Sequence, residues 1–183
     1  MTRLRREREQ RFRSLYADAY EDVLRFVQRR GHPSHAEDVV AEAFLVAWRR
    51  IDEAPRLPGD LRAWLFGIAR HCLLNTRRGE GRREALAVRL AEVVPAEGAA
   101  RTRDPDVVAF RMELAAAWRG LSADEQEVLA LAVFEDLTSR QAGRVLGITS
   151  AAYRLRLMRA RHALRRQLDC AGLTSNPTAL QET

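Results

Sequence analysis

Apolar residues in this chain recur at three- and four-residue spacings and hardly ever alternate, a rhythm that confines it to helices packed on helices. Phe12, Tyr16, Tyr20, Val23 and Val27 trace one face of a first helix. Gly31, His32 and Pro33 close that segment. Ser34 and Glu37 have the spacing of a capping box, in which hydroxyl and carboxylate satisfy free amides of a first turn. A second helix is therefore expected from there to about Arg50, with Val40, Ala43, Phe44, Ala47 and Trp48 on its buried face. Beyond Pro55, Pro58 and Gly59, Asp60 is placed to cap a third helix. Its apolar stripe is Leu61, Trp64, Leu65, Ile68 and Cys72, and it frays near Gly79.

The rhythm fails between Gly79 and Asp106, where Pro95, Gly98 and Pro105 punctuate the chain. Residues 81–106 read as a linker, with a short helix over Glu84–Val94 as an option. A second unit spans residues 107–170, and residues 171–183 read as a tail without assigned role. Ser122 with Glu125, and Thr138 with Gln141, are two further capping boxes. The second opens a short helix ending at Gly147, and Thr149 or Ser150 then caps a long helix to about Leu168. Short helix, glycine-containing turn, longer helix is the helix-turn-helix layout. The expected fold is all-α. Residues 1–80 form a three-to-four-helix bundle, and a flexible linker joins it to a helix-turn-helix domain.

All 31 basic residues are arginine, and the net charge is +6. Codon bias accounts for missing lysine, so the placement of the arginines carries the information. Between Thr138 and Leu168 there are eight arginines and no acidic residue. Tyr153, Leu157, Ala160, Leu164 and Leu168 form the buried stripe of the long helix, which leaves Arg154, Arg156, Arg159, Arg161, Arg165 and Arg166 on its other faces. A solvated bundle helix usually mixes signs for pairing along its surface. A wholly basic one suits a major groove. A second cluster combines Trp64, Phe66, His71, Asn75, Arg77, Arg78, Arg82 and Arg83, a mixture suited to stacking and reading unpaired bases. Trp64 lies on the apolar stripe and reads better as core; Phe66 lies off it, open to either role.

Other classes fall away. No run of 18 apolar residues exists, and the charged start of the chain lacks the apolar region of a signal peptide. Two cysteines, Cys72 and Cys170, give no disulfide framework and fit a reducing, cytoplasmic setting. His32 and His35 lack partners for a metal site, and no phosphate-binding or nucleophile motif is found. No catalysis, cofactor or metal is expected.

Three stretches, HAEDVVAEAFLVAWRR, LRAWLFGIARHCLLNTRR and the run from Leu121 to Leu168, resemble in order and spacing a bacterial RNA polymerase sigma factor. The size resembles the extracytoplasmic-function (ECF) subfamily. The resemblance implies that Asp38 and Glu42, with Val39 and Phe44, bind the β′ clamp helices of core RNA polymerase. The second unit would meet the β flap. Melting of the −10 element would use a pocket in the loop Ile51–Asp60, which carries Arg56, and a helix with His71, Asn75, Arg77 and Arg78. The −35 element would be read as duplex by Arg154, Leu155, Met158 and Arg159, with Arg144 and Arg156. Tyr153 stands where the family favours a branched residue, and Leu155 where it favours a small polar one. The resemblance further implies an anti-sigma partner. Two alternatives stay open on the sequence: a helix-turn-helix regulator acting alone on promoter DNA, and a sigma-like protein-interaction module.

Overall fold

The computed structural model describes residues 3–79, Val88 and residues 105–170. Among these residues seven α-helices run in the order α1 (Arg3–Gln28), α2 (Ala36–Arg49), α3 (Pro58–Gly79), α4 (Pro105–Arg119), α5 (Ala123–Val133), α6 (Ser139–Leu146) and α7 (Ser150–Cys170). Among the described residues there is no strand.

Helix α1 buries Leu15, Ala19, Val23, Phe26 and Val27, a stripe turned from the one the aromatics suggest. Phe12, Tyr16 and Tyr20 instead form a ladder along the α1–α2 seam. Phe12 lies 5.2 Å from Trp48, and Tyr16 lies 4.7 Å from Phe44, between ring centroids. The reason is that α1 packs against both α2 and α3. It therefore needs two adjacent stripes, and the aromatic one lies at the edge.

The capping box expected at Ser34 and Glu37 does not form. Pro33 opens a 3-10 turn over Pro33–His35, and α2 starts only at Ala36 with His35 at its N-cap position. The Ser34 hydroxyl meets His32 Nδ1 at 2.7 Å instead. Glu37 and Asp38 still lie in the first turn, where the helix dipole favours acids. In α3, Phe66 is settled as core: it stacks on Phe26 at 4.7 Å, and both rings are fully buried.

The second unit follows its caps closely. Ser122 and Glu125 exchange both bonds of a capping box, as do Thr138 and Gln141. Thr149 Oγ1 accepts from the Ala152 amide at 3.1 Å to start α7. The α6–α7 turn closes through Gly147 at φ 69°, the left-handed region that glycine enters without penalty. At Gly143 an added Cβ would come within 2.8 Å of the Ile148 carbonyl oxygen, so the turn is drawn tight against α6. Tyr153 fits this core because its hydroxyl donates to the Val128 carbonyl at 2.9 Å. Buried Val88, within the stretch read as linker, is tied to this unit. Its amide donates to Gln126 Oε1 at 3.0 Å, and its carbonyl accepts from Trp118 Nε1 at 2.7 Å. The optional helix over Glu84–Val94, apart from Val88, and the tail lie outside the described residues.

The two units share one apolar core, with α6 packed along α3. Gly67 keeps α3 smooth there: a Cβ added to it would lie 3.9 Å from the Val145 Cα. Around this apolar contact runs a seam of charges. Arg29 donates to Glu135 at 2.8 Å, Arg30 to Glu135 at 3.0 Å, and Arg70 to Glu127 at 3.0 and 3.1 Å. Arg62 donates to the Glu135 carbonyl at 2.7 Å. At the far end of the seam, Asp60 accepts from Arg140 at 2.8 Å and pairs with Arg144 at 2.9 Å. Asp60 thus works between units as well as at the first turn of α3.

Candidate nucleic-acid interfaces

Helix α7 buries Tyr153, Ala160 and Ala163 and half-buries Leu157 and Leu164 against its neighbours. The long side chains between these positions face outward. Arg154, Leu155, Arg156, Met158, Arg159, Arg161, His162, Arg165 and Arg166 are all exposed. Packing forces this arrangement, because the apolar stripe repeats at three and four residues and the arginines fill the gaps. The positions assigned to duplex reading are therefore brought onto one accessible surface. Arg144 is the exception, since its guanidinium is engaged by Asp60. Those contacts hold the Asp60 carboxyl below its ordinary range, the Arg144 hydrogen bond contributing most.

On α3, His71 and Asn75 are exposed and four apart, on one helical face. Arg56 is exposed in the loop before the helix. Arg77 and Arg78 lie in the last turn of α3, but their side chains, like Arg82 and Arg83 entirely, lie outside the described residues. Trp64 is half-buried on the same face as His71, beside a cleft of about 500 Å³ between α3 and α6. Arg50, Asp60 and His71 line that cleft from one unit, and Arg144 with Val145 from the other. The α3 surface assigned to unpaired bases therefore shares its space with the helix-turn-helix.

On α2, Asp38 and Glu42 are exposed and four apart. Val39 and Phe44, assigned to the same docking face, belong instead to the core at 4% exposure each. They sit on the side of α2 turned to α1 and α3, and they support a docking surface from beneath. The apolar residues on the outside are Leu45, 57% exposed, and Tyr16, 44% exposed, beside a groove lined by Phe12, Ala41 and Trp48. Leu45 was legible as the one large apolar residue of α2 off its buried stripe. The inter-unit carboxylates had a fainter signal: Glu127 and Glu135 bracket the apolar run VLALAVF, where a charge needs a partner.

Among the described residues no cluster of His, Cys, Asp and Glu has the grouping of a metal site. Nor is any helix there long and apolar enough to cross a membrane.

A helical bundle joined to a helix-turn-helix with a basic recognition helix defines a DNA-binding transcription factor of two units. Sigma-70 region 2 matches residues 15–83, and Sigma-70 region 4 matches residues 111–164. The ECF RNA polymerase sigma factor SigL of Mycobacterium tuberculosis is 31% identical over 173 residues, covering 88% of this chain and 91% of the relative. Among solved structures, CnrH in complex with the cytosolic domain of CnrY matches with a TM-score of 0.56 and 26% identity, over 87% of this chain and 88% of that one. The sigma factor RpoE of Bartonella quintana, solved with the anti-sigma factor NepR, shares the fold at a TM-score of 0.51 and 23% identity, over 91% of this chain and 96% of that one. The chain belongs to the sigma-70 family of RNA polymerase sigma factors and is of the ECF type. It directs promoter-specific transcription.

Proposed function

We propose that the chain docks on core RNA polymerase through the outer face of α2, with Asp38 and Glu42 pairing with basic residues of the β′ clamp helices. Leu45 and Tyr16 supply the apolar contact beside them, and the second unit meets the β flap. Helix α3, with His71, Asn75, Arg77 and Arg78, and the preceding loop, with Arg56, engage and melt the −10 element. Helices α6 and α7 read the −35 element as duplex. The division of labour is residues 1–80 for polymerase and −10 contacts, 81–106 as connection, and 107–170 for −35 contacts. The observation that carries this reading is the outward face of α7, on which every charged side chain over the first four turns is a cation and none is acidic.

The two elements are separated by about 25 base pairs, or about 85 Å of duplex. Helices α3 and α6 are in contact. One chain reads both elements only after the seam between its units opens, so the closed arrangement is the form without polymerase. Polymerase would supply the binding energy for opening, in the manner of any ligand that prefers one of two states. CnrH is held by the cytosolic domain of CnrY. By that analogy, a regulatory anti-sigma protein captures this chain before polymerase does.

Runoff transcription from a promoter library with purified core polymerase tests the reading. Transcripts that depend on this chain are expected. Asp38→Arg is expected to abolish core binding, and Arg154→Ala to lower the salt slope of promoter binding by about 1. Core binding that survives Asp38→Arg would refute the docking face. Promoter binding that survives Arg154→Ala with Arg159→Ala, at unchanged salt slope, would favour an interaction module over a −35 reader.

A further inference from the structure

The middle of the basic face is apolar. Counting 100° per residue from buried Tyr153, Leu155, Met158 and His162 all point within about 40° of the opposite direction. Arg154, Arg161 and Arg165 lie to one side of that line, and Arg159, Arg166 and Arg156 to the other. Leu155 is 45% exposed and Met158 60% exposed, three residues apart on adjoining turns. Both lie in the half of α7 nearest the turn, the end of a recognition helix that reaches base edges. The arrangement is an apolar ridge between two rows of cations.

Charge complementarity fixes the occupant. Eight arginines without an acid over residues 138–168 suit a polyanion, and two flanking rows match the two phosphate backbones bordering a groove. A groove floor is polar almost everywhere, so an apolar side chain pressed against it loses water and gains little. The exception is the thymine 5-methyl group, which projects into the major groove and gives an apolar side chain a partner. Helix α6 covers α3 and leaves this ridge uncovered.

We infer that Leu155 and Met158 are specificity residues that read thymine methyl groups in the −35 duplex, with the flanking arginines setting the helix in register. The inference rests on the −35 role proposed for α7 and adds the chemistry of what is read. It requires thymine at one or two adjacent positions facing the first two turns of α7. Arginine alone would select guanine there.

The test uses the full chain with core polymerase. A duplex promoter randomised across its −35 segment is selected for binding, and the winner is resynthesised with deoxyuridine in place of each thymidine in turn, which deletes the 5-methyl group alone. Substitution is expected to weaken binding about fourfold per methyl contacted. Leu155→Ala with Met158→Ala, both exposed and harmless to packing, is expected to bind thymidine and deoxyuridine promoters equally. A selected −35 sequence indifferent to deoxyuridine would overturn the inference and leave −35 reading intact. Selection that returns no −35 preference would overturn both. A double variant that keeps the methyl response but loses affinity for core polymerase would assign the ridge to a protein contact, and the inference would fail.

Discussion

Arg30 and Glu135 meet at 3.0 Å with side chains 0% and 1% exposed, joining the end of α1 to the turn after α5 across 105 residues of sequence. Two charges so far from water cost heavily to bury, and their attraction offsets that cost only while both are present. Burial pulls the Arg30 guanidinium down from its ordinary range, against the opposing pull of Glu135 and Glu127. Glu135→Ala would leave Arg30 and Arg29 buried with one carboxylate fewer. A loss of about 3 kcal/mol is expected in urea unfolding. Replacing Arg29→Met, Arg30→Met and Glu135→Leu together should recover much of it, because an apolar trio carries no desolvation cost. A single variant as stable as the parent would show that the seam is open in solution.

Asp60 links the same two units where the carboxylate has some access to solvent. Hydrogen bonds from Arg144 and Gln141, and the charges of Arg140 and Arg144, hold its carboxyl below the ordinary 3.8. A depressed folded-state value means that its stabilising contribution is complete above pH 3.8. The contribution disappears as pH falls below that value and through the depressed one. Asp60→Asn should therefore flatten the acid limb of a stability profile below about pH 4. At neutral pH it should free Arg140 and Arg144. An unchanged acid limb in thermal unfolding would refute the linkage.

Why the helices were legible and the seam was not has a physical basis. Capping boxes at Ser122 and Thr138, the turn at Gly147 and the stripe of α7 are local, set by residues within four of one another. Ser34 misled because Pro33, one residue earlier, commits the backbone to a 3-10 turn and spends the hydroxyl on His32. Phe66 was undecided because its partner Phe26 is 40 residues away. Val39 and Phe44 are assigned to docking because the resemblance marks a helix as docking without marking its faces, although the apolar stripe already puts Phe44 on the buried side. The inter-unit pairs obey no spacing rule at all. Asp60 reads as a helix cap by its position, and only the arrival of α6 makes it the partner of Arg140.

Cys72 and Cys170 should differ sharply in reactivity. Burial pushes the Cys72 thiol up to about 11, with Glu42 adding to the shift, and it is closed from solvent inside the first unit. Cys170 is exposed at the end of α7. Since the thiolate is the reactive species, native protein at neutral pH should release one equivalent in a thiol-exchange assay, and a second only in denaturant. Cys170→Ser should abolish the fast phase. Rapid modification of two thiols without denaturant would show that the first unit opens on the assay timescale.

With Cys170→Ser as background and Cys72 protected by burial, the closed arrangement can be tied and released at will. Gly67 on α3 faces Val145 on α6 so closely that a Cβ on the first would lie 3.9 Å from the Cα of the second. Gly67→Cys with Val145→Cys thus brings two cysteine Cα atoms within about 5.4 Å, inside the range of about 4.4–6.8 Å that a disulfide bridges. Oxidised, this variant cannot separate α3 from α6, and it cannot span two promoter elements about 85 Å apart. Runoff transcription should fall at least tenfold on oxidation and return with reductant. Core binding through α2 should persist in both states, because its outer face, with Asp38 and Glu42, is exposed in the closed form. Full transcription by the oxidised protein would mean that polymerase uses the chain closed. Loss of core binding together with transcription would mean that opening comes before docking.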